Sequence, residues 1–186
     1  SPGRGHIDPI VEKLVKRGHK VYVWYFDLFK GEVAKRPLVE GIVLVKPPTL
    51  PVRDTAMFFG LNGILQFPTM FRIMRKVDPD IVISENLLHG LLSFVASHRT
   101  VLKVFDFSDY FPQSASIYYS RSNTALRIAV EALVMFITRL SLKMSDVCLV
   151  PCVSLLRMTR RVDEKKPCYI VRNGVDFKLL NRSRCD

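Results

Sequence analysis

The sequence has few cysteines, and none of them stands in a metal-binding arrangement. The four cysteines are Cys148, Cys152, Cys168 and Cys185; they include no CxxC pair, and no histidine lies at zinc-finger spacing from them. This spacing disfavours a zinc site. Buried free thiols in a reducing compartment account better for these residues, and we expect neither a metal nor another cofactor.

A long uninterrupted hydrophobic run is also lacking. The most apolar stretch, residues 125–142, contains Arg127, Glu131 and Arg139, and such charges are not typical of a membrane-spanning helix. No signal peptide is recognisable in the sequence. We therefore expect a cytoplasmic protein and keep peripheral attachment to the cytoplasmic face of a membrane as an alternative.

The common nucleotide-binding motifs are missing as well. The sequence contains neither GxGxxG nor the P-loop pattern GxxxxGK[ST], which disfavours nicotinamide dinucleotides and nucleoside triphosphates as ligands in their usual binding mode. It also contains no internal repeat and no low-complexity tract, which disfavours a repeat architecture.

Positive charge, in contrast, is plentiful. The chain has 28 Lys and Arg against 17 Asp and Glu, a net charge of +11 over 186 residues. Such an excess favours anionic partners, which include nucleic acid, acidic lipid and phosphorylated small molecules. With 48% hydrophobic residues, the chain is also apolar enough to form a packed domain rather than a disordered segment.

Apolar runs and helical periodicities alternate along the chain. Strands are predicted at residues 21–26, 42–45, 81–84, 101–105, 147–150 and 169–171, and helices at 8–18, within 50–77, after Glu85, at 124–144 and at 153–161. This order predicts an α/β fold with a doubly wound parallel sheet and helices on both faces. The chain opens with a Gly-rich loop, a helix and a strand, which is two thirds of a βαβ unit. We therefore expect about seven strands in the native domain, with the first strand missing before Ser1.

Residues 50–77 form the least regular stretch. They are rich in Met, Phe, Leu and Ile, are interrupted by two glycines and a proline, and end with Arg72, Arg75 and Lys76. One or two core helices, broken at those interruptions, are the simpler interpretation. The alternative is a hydrophobic surface beside a basic patch, in which the segment Phe58–Phe71 rests on an anionic membrane or grips a lipid-like acceptor.

Acidic residues follow two of the predicted strands. Asp106 and Asp109 come after the strand at 101–105, and Glu85 follows the strand at 81–84. In open parallel sheets the ligand crevice lies outside the carboxyl ends of the strands, so these three acids are candidate contacts for a substrate. Two of them also have a structural alternative: capping or a salt bridge for Asp106, and a favourable charge at a helix N-terminus for Glu85.

The first loop supplies the other candidates. Gly3 and Gly5 precede a predicted helix N-terminus, where backbone N–H groups favour a phosphate, although a GxG pattern alone also fits an ordinary turn. His6 lies between the expected missing strand and the helix, and it can take a proton from a hydroxyl near neutral pH. Asp106 or Asp109 would orient it. The alternative is a hydrogen bond from His6 to the backbone of the turn.

The other three histidines have weaker functional claims. His19 follows a glycine that ends a predicted helix, which indicates a surface position. His89 and His98 lie in or just after one helix, where we expect exposure on its polar face.

Several of these segments resemble glycosyltransferases of the GT-B fold. PGRGHIDPIVEKLVKRGHKVYVW (Pro2 to Trp24) resembles the Gly-His loop at the start of inverting GT-B enzymes, which include the lipid-linked peptidoglycan transferase. The order and spacing of four later segments are similar to glycosyltransferase family 4: DPDIVIS (78–84), DFSDYFPQS (106–114), SDVCLVPCVSLLRM (145–158) and YIVRNGVDFKLL (169–180). The NGVD sequence is the most specific of these matches, because it normally closes the N-terminal domain of the family.

This resemblance implies one half of a two-domain enzyme. Residues 1–172 would be a Rossmann-like acceptor-binding N-terminal domain, and residues 173–186 would begin the linker to a C-terminal domain that holds the nucleotide sugar and an E-x7-E motif. By resemblance, Gly3 and Gly5 approach the donor phosphates and His6 is the catalytic base. Asp109 likewise contacts the transferring sugar or the acceptor.

The chain departs from the family pattern in front of that aspartate. Family members often carry His-Asp at this point, whereas this chain has Ser108 before Asp109. The roles of Asp106, Asp109 and His6 are therefore carried over residue by residue.

Three functions remain open on sequence alone. The first is the acceptor-binding half of a hexosyltransferase that moves a sugar from a nucleotide-sugar donor to a hydroxyl or phosphate acceptor, on a glycan or a lipid carrier, with no activity in this chain alone. The second is a non-catalytic subunit that recruits the membrane or the acceptor for a separate catalytic chain. Nucleic-acid binding through the basic surface is the third and least favoured.

Overall fold

The computed structural model describes residues 8–24, 41–52, 54–118 and 124–171. The chain divides into two units, residues 1–51 and residues 52–186, which are described separately below. The end of the strand predicted at residues 21–26 and the NGVD segment both lie outside the described residues.

The first unit contains one helix and two strands. These are α1 (Asp8–Lys16), β1 (Val21–Trp24) and β2 (Ile42–Val45), and the two strands pair in parallel from Val21↔Ile42 to Trp24↔Val45. Gly18 ends the helical turn with a φ of +85°, which only glycine adopts without strain. Its N–H donates to Val15 O at 2.9 Å. The predicted helix and both predicted strands are confirmed where the structure describes them.

The second unit is built around a four-stranded parallel sheet. Its elements are α2 (Thr55–Val77), β3 (Ile81–Ser84), α3 (Leu87–Ala96), β4 (Leu102–Asp106), α4 (Phe111–Tyr118), α5 (Thr124–Met144), β5 (Val147–Val150), α6 (Val153–Val162) and β6 (Cys168–Ile170). The strand order is β3-β4-β5-β6, with every pair parallel. Parallel strands connected by helices confirm the predicted α/β fold.

One face of this sheet packs against α3, α5 and α6. Successive connections step through the sheet in one direction, and right-handed crossovers then place their helices on the same face. The core on this face joins strand residues such as Phe105 and Cys148, both at 0% exposure, to Phe94, Leu142 and Leu155 of the three helices. We call this the helical face. Its burial removes these apolar side chains from water.

Helix α2 is continuous, so the one or two helices predicted within residues 50–77 form a single helix, which its glycines and proline do not break. Asp54 caps its start by accepting the Met57 N–H at 2.8 Å, and the helix includes Pro68 in its interior. A Cβ on Gly63 would lie 2.9 Å from Leu88 Cδ2, so the glycine permits close packing of α2 on α3. Packing between the two helices therefore outweighs the local cost of glycine and proline.

Two details of the β4 region also differ from the prediction. Asp106 is the last residue of β4 and pairs with Leu149 of β5, rather than lying in the following loop. Helix α4 was not predicted. It is short, with 8 residues, and Pro112 in its first turn is compatible with a helix because the N–H it lacks has no partner there.

A buried lysine caps the C-terminal end of α5. The Lys166 side chain is 5% exposed, and its Nζ lies 3.6 Å from Asp163 Oδ2. It donates to the backbone oxygen of Ser145 and to that of Lys143 at 3.5 Å. A cation at this position satisfies carbonyl groups that have no partner within the helix and complements the negative end of the helix dipole.

Candidate functional site

The carboxyl ends of β3 and β4 lie side by side at one edge of the sheet. Ser84, the last residue of β3, pairs with Phe105 of β4. Adjacent strands lie about 4.8 Å apart at such a pair, and Glu85 and Asp106 are the residues that directly follow its two members. Two of the candidate acids are thus brought together by the strand register.

Asp106 lies beneath this edge rather than on its surface. It is 1% exposed, and because side chains alternate along a strand, it points to the face opposite Phe105 and the helical face. The next residue continues the pairing, with the Phe107 N–H donating to Leu149 O at 2.8 Å. A buried carboxylate at this position can orient a neighbouring group. It is poorly placed to bind a substrate that arrives from solvent.

Asp109 is exposed and held in a defined orientation at the start of α4. Its Oδ1 accepts the Tyr110 N–H at 2.8 Å, and its Oδ2 accepts the Ser114 hydroxyl at 2.8 Å. Each carboxylate oxygen has a second lone pair, so Asp109 can still accept a hydrogen bond from a ligand hydroxyl. Sequence reasoning missed Ser114, which lies five residues away and becomes a partner only when α4 forms.

The turn between β3 and α3 fixes Glu85, which is half-buried. Asn86 caps α3 by accepting the His89 N–H at 3.3 Å, and the Ser84 hydroxyl donates to Asn86 O at 3.1 Å. A methyl group on Gly90 would overlap the Ser84 side chain. The turn therefore has little freedom to move against the first two turns of α3.

Comparison with models of protein families identifies the family of the chain. The model of glycosyltransferase family 4 matches residues 6–179, which includes every described element of both units. The chain belongs to glycosyltransferase family 4. Comparison with curated proteins gave no match.

Family 4 membership confirms the resemblance drawn from the sequence motifs and establishes a glycosyltransferase domain. The parallel α/β units agree with the Rossmann-like domain of this class of transferases. Three residues predicted to act in this family 4 domain, Gly3, Gly5 and His6, lie outside the described residues. Among the residues that the structure describes, no group of three or more His, Cys, Asp or Glu could hold a metal ion.

His89 of the family 4 domain is buried, and the expectation that it is exposed is wrong. It is 4% exposed, packs edge-on against Phe59 with ring centroids 6.1 Å apart, and has its Nδ1 at 3.2 Å from Asn86 Oδ1. Burial lowers its pKa from 6.5 to about 4. Because an amide oxygen only accepts, the neutral ring carries its proton on Nδ1. His89 therefore joins α2 to α3 as a neutral core residue.

The cysteines of the family 4 domain differ in exposure. Cys148 is buried, and burial raises the pKa of its thiol to about 12. Cys168 is half-buried, with its pKa raised by the same cause. Cys152 is exposed, so the prediction of buried thiols fails there, and Cys185 lies outside the described residues.

The outer face of α2 is both apolar and basic. Its exposed apolar side chains are Met57, Leu61, Ile64, Leu65 and Phe71. Phe58, at the start of the segment expected to contact a membrane, is instead 4% exposed. Arg72, Arg75 and Lys76 are exposed in the last turns, and the Arg75 guanidinium lies 4.6 Å from the centre of the Phe71 ring. Within the described ranges, no helix is both long and apolar enough to cross a bilayer.

Proposed function

We propose that this chain is the acceptor-binding half of a hexosyltransferase, which moves a hexose from a nucleotide sugar to a hydroxyl or phosphate acceptor. One observation carries this proposal: in a family 4 domain, Glu85 follows β3, Asp106 ends the adjacent parallel strand β4 and Asp109 follows it, all at the carboxyl edge of the sheet. This edge is where ligands bind in open α/β sheets.

Helix N-termini at the same edge would stabilise the leaving group. Helices α3, α4 and α6 begin soon after β3, β4 and β5, so their first backbone N–H groups and positive dipole ends lie at the carboxyl ends of the strands. Departure of a nucleoside diphosphate creates negative charge, which such groups stabilise without reorganisation. In this proposal a second domain binds most of the nucleotide sugar, and no metal takes part.

Asp109 and His6 would act on the acceptor. Asp109 is exposed and already oriented by Tyr110 and Ser114, so it can accept a hydrogen bond from an acceptor hydroxyl or from the transferring sugar. His6 would take the proton of the attacking hydroxyl, while Gly3 and Gly5 approach the donor phosphates. Without the donor-binding domain, residues 1–186 alone would transfer no sugar.

The test of this site is Asp109→Asn in the full-length enzyme. The substitution keeps the size of the side chain but removes its charge, and we expect kcat to fall at least about tenfold, equivalent to about 1.4 kcal/mol of transition-state stabilisation. Ser114→Ala is the matched control, because it removes one partner of the carboxylate and leaves the charge. We expect its kcat to stay within about threefold of the wild type.

Two outcomes would move the site elsewhere. One is an unchanged transfer rate for Asp109→Asn. The other is an equal loss of activity in both variants together with a lower Tm, because that pattern describes a residue that only stabilises the start of α4.

We also propose that the acceptor is lipid-linked and that α2 lies on an anionic membrane. Helix α2 has 23 residues and none of them is acidic. Ile64 is 67% exposed and Leu65 57% exposed, and the basic residues follow them along the helix. In such an arrangement, insertion of apolar side chains and attraction to acidic headgroups both contribute to the free energy of membrane binding. This surface also favours the alternative of a membrane-recruiting subunit, which would bind lipid but have no catalytic residues.

Vesicle sedimentation tests the membrane surface. Burial of a Leu or Ile side chain is worth roughly 1.5–3 kcal/mol, so Ile64→Ser/Leu65→Ser should weaken binding to phosphatidylglycerol vesicles by about tenfold or more. Val95→Ser is the control, because Val95 is 50% exposed but lies on α3. Equal retention of all three proteins would show that α2 is not the contact surface.

A further inference from the structure

A concave surface lies between α5 and α6, two of the helices that cover the helical face. It has a volume of about 420 Å³, within the range of roughly 300–1,000 Å³ typical of small-molecule sites. Its basic lining residues are Arg139, Lys143 and Arg161, and its apolar ones are Met135, Met158 and Val162. Tyr110, from the loop after β4, also lines it. We call it the α5–α6 pocket.

Three cations line this pocket and have no acidic partner among the residues that the structure describes. Arg139 and Lys143 are four residues apart on α5, and Arg161 lies in the last turn of α6. All three are exposed. Within the described part of the chain, none of their side chains makes a hydrogen bond or an ion pair, and no acidic residue lines the pocket. Like charges at this spacing repel each other, so the pocket favours an anion that relieves the repulsion.

Part of the pocket lining is apolar. Met135, Met158 and Val162, which we call the apolar floor, are half-buried, so part of their apolar surface remains in contact with solvent. Methionine side chains adapt to ligands of different shape, and Tyr110 adds a ring with a hydroxyl that can donate a hydrogen bond. The ligand should therefore combine an anionic group with an apolar body.

The nearest acid in the sequence does not neutralise these cations. Asp163 follows α6, but its Oδ2 lies 3.6 Å from Lys166 Nζ and its Oδ1 accepts the Lys165 N–H at 3.2 Å. The pocket adjoins the candidate transfer site at Tyr110, whose N–H donates to Asp109 Oδ1. Its three cations and its three other apolar side chains lie on α5 and α6, whereas Asp106 points to the opposite face of the sheet. The charge and the apolar lining of the pocket are therefore present whether or not the chain takes part in sugar transfer.

We propose that the α5–α6 pocket binds a phosphate ester that carries an apolar group. The phosphate would contact the two arginines and the lysine, whose donors suit phosphate oxygens. The apolar group would cover the two methionines and the valine. A lipid phosphate and a soluble aryl or alkyl phosphate share this chemistry.

Calorimetric titration with phenyl phosphate and with inorganic phosphate tests the proposal. Phenyl phosphate should bind at least about tenfold more tightly, because only it covers the apolar floor. Arg139→Gln and Arg161→Gln should each weaken phenyl phosphate binding about threefold to tenfold. Arg160→Gln is the matched control, since Arg160 is exposed on the same helix but does not line the pocket, and its affinity should not change.

The outcomes separate the two sources and can overturn the proposal. If Arg139→Gln/Arg161→Gln also lowers retention on phosphatidic acid vesicles relative to Arg160→Gln, the ligand is a lipid phosphate. If only phenyl phosphate binding falls, the ligand is soluble. Equal affinities of the wild type and the rim variants, in proteins whose Tm is unchanged, would overturn the site. Equal binding of phosphate and phenyl phosphate would overturn the role of the apolar floor.

Discussion

Acidification should weaken the contact between α2 and α3 through His89. The histidine is buried against Phe59, and its pKa is lowered from 6.5 to about 4 because burial disfavours the charged ring. Between these two values the unfolded chain binds a proton that the folded chain does not. Stability therefore falls as the pH drops below about 6.5, and the loss is complete near pH 4.

The size of the effect follows from the two pKa values. A depression from 6.5 to about 4 makes the folded state about 2 kcal/mol less stable at pH 5 than at pH 7, as far as His89 alone is concerned. Other titrating groups add to the total change. The contribution of His89 is therefore obtained by comparing the pH dependence of stability in the wild type with that in a variant that lacks His89.

Urea unfolding at pH 7 and pH 5 measures this difference. In His89→Gln, which cannot take up the proton, the stability lost between the two pH values should be about 2 kcal/mol smaller than in the wild type. His98→Gln is the control, because His98 is exposed and should reproduce the wild-type pH dependence. If His89→Gln and the wild type lose the same stability, His89 is not buried as a neutral ring.

Two further substitutions test the packing of the second unit. Lys166→Met removes the cation that holds the end of α5 and should lower the free energy of unfolding by about 2–3 kcal/mol, whereas Lys165→Met should change it by less than about 0.5 kcal/mol; urea midpoints measure both. Gly90→Ala should cost about 1–3 kcal/mol because the added methyl overlaps Ser84. Gly60→Ala, where nothing lies within 4 Å, should be neutral or stabilising, and urea unfolding measures both glycine variants as well.

The sequence predicted most elements because their signals are local. Apolar runs marked the strands, and Gly18 marked the end of α1. The continuity of α2 was harder to predict, because Gly63 and Pro68 usually interrupt a helix. Only the structure shows that Gly63 allows Leu88 to pack closely against α2. Helix α4 is too short for its periodicity to stand out.

The candidate site was predictable in position but not in detail. Strand ends pointed to Glu85, Asp106 and Asp109, and the register brings the first two together. The burial of Asp106 and the contact from Ser114 to Asp109 depend on packing that no local pattern contains. The α5–α6 pocket was missed for the same reason, because its cations become neighbours only when two helices pack on the sheet.

The close packing of α2, α3 and β3 connects the exposed apolar face of α2 to the turn that carries Glu85. Gly63 brings α2 onto α3, Gly90 brings α3 onto Ser84, and Ser84 directly precedes Glu85. Because these contacts follow one another directly, we expect a shift of α2 on adsorption to carry the Glu85 turn with it. If both binding events occur, thermodynamic reciprocity then requires that vesicles change acceptor affinity by the same factor as the acceptor changes vesicle affinity.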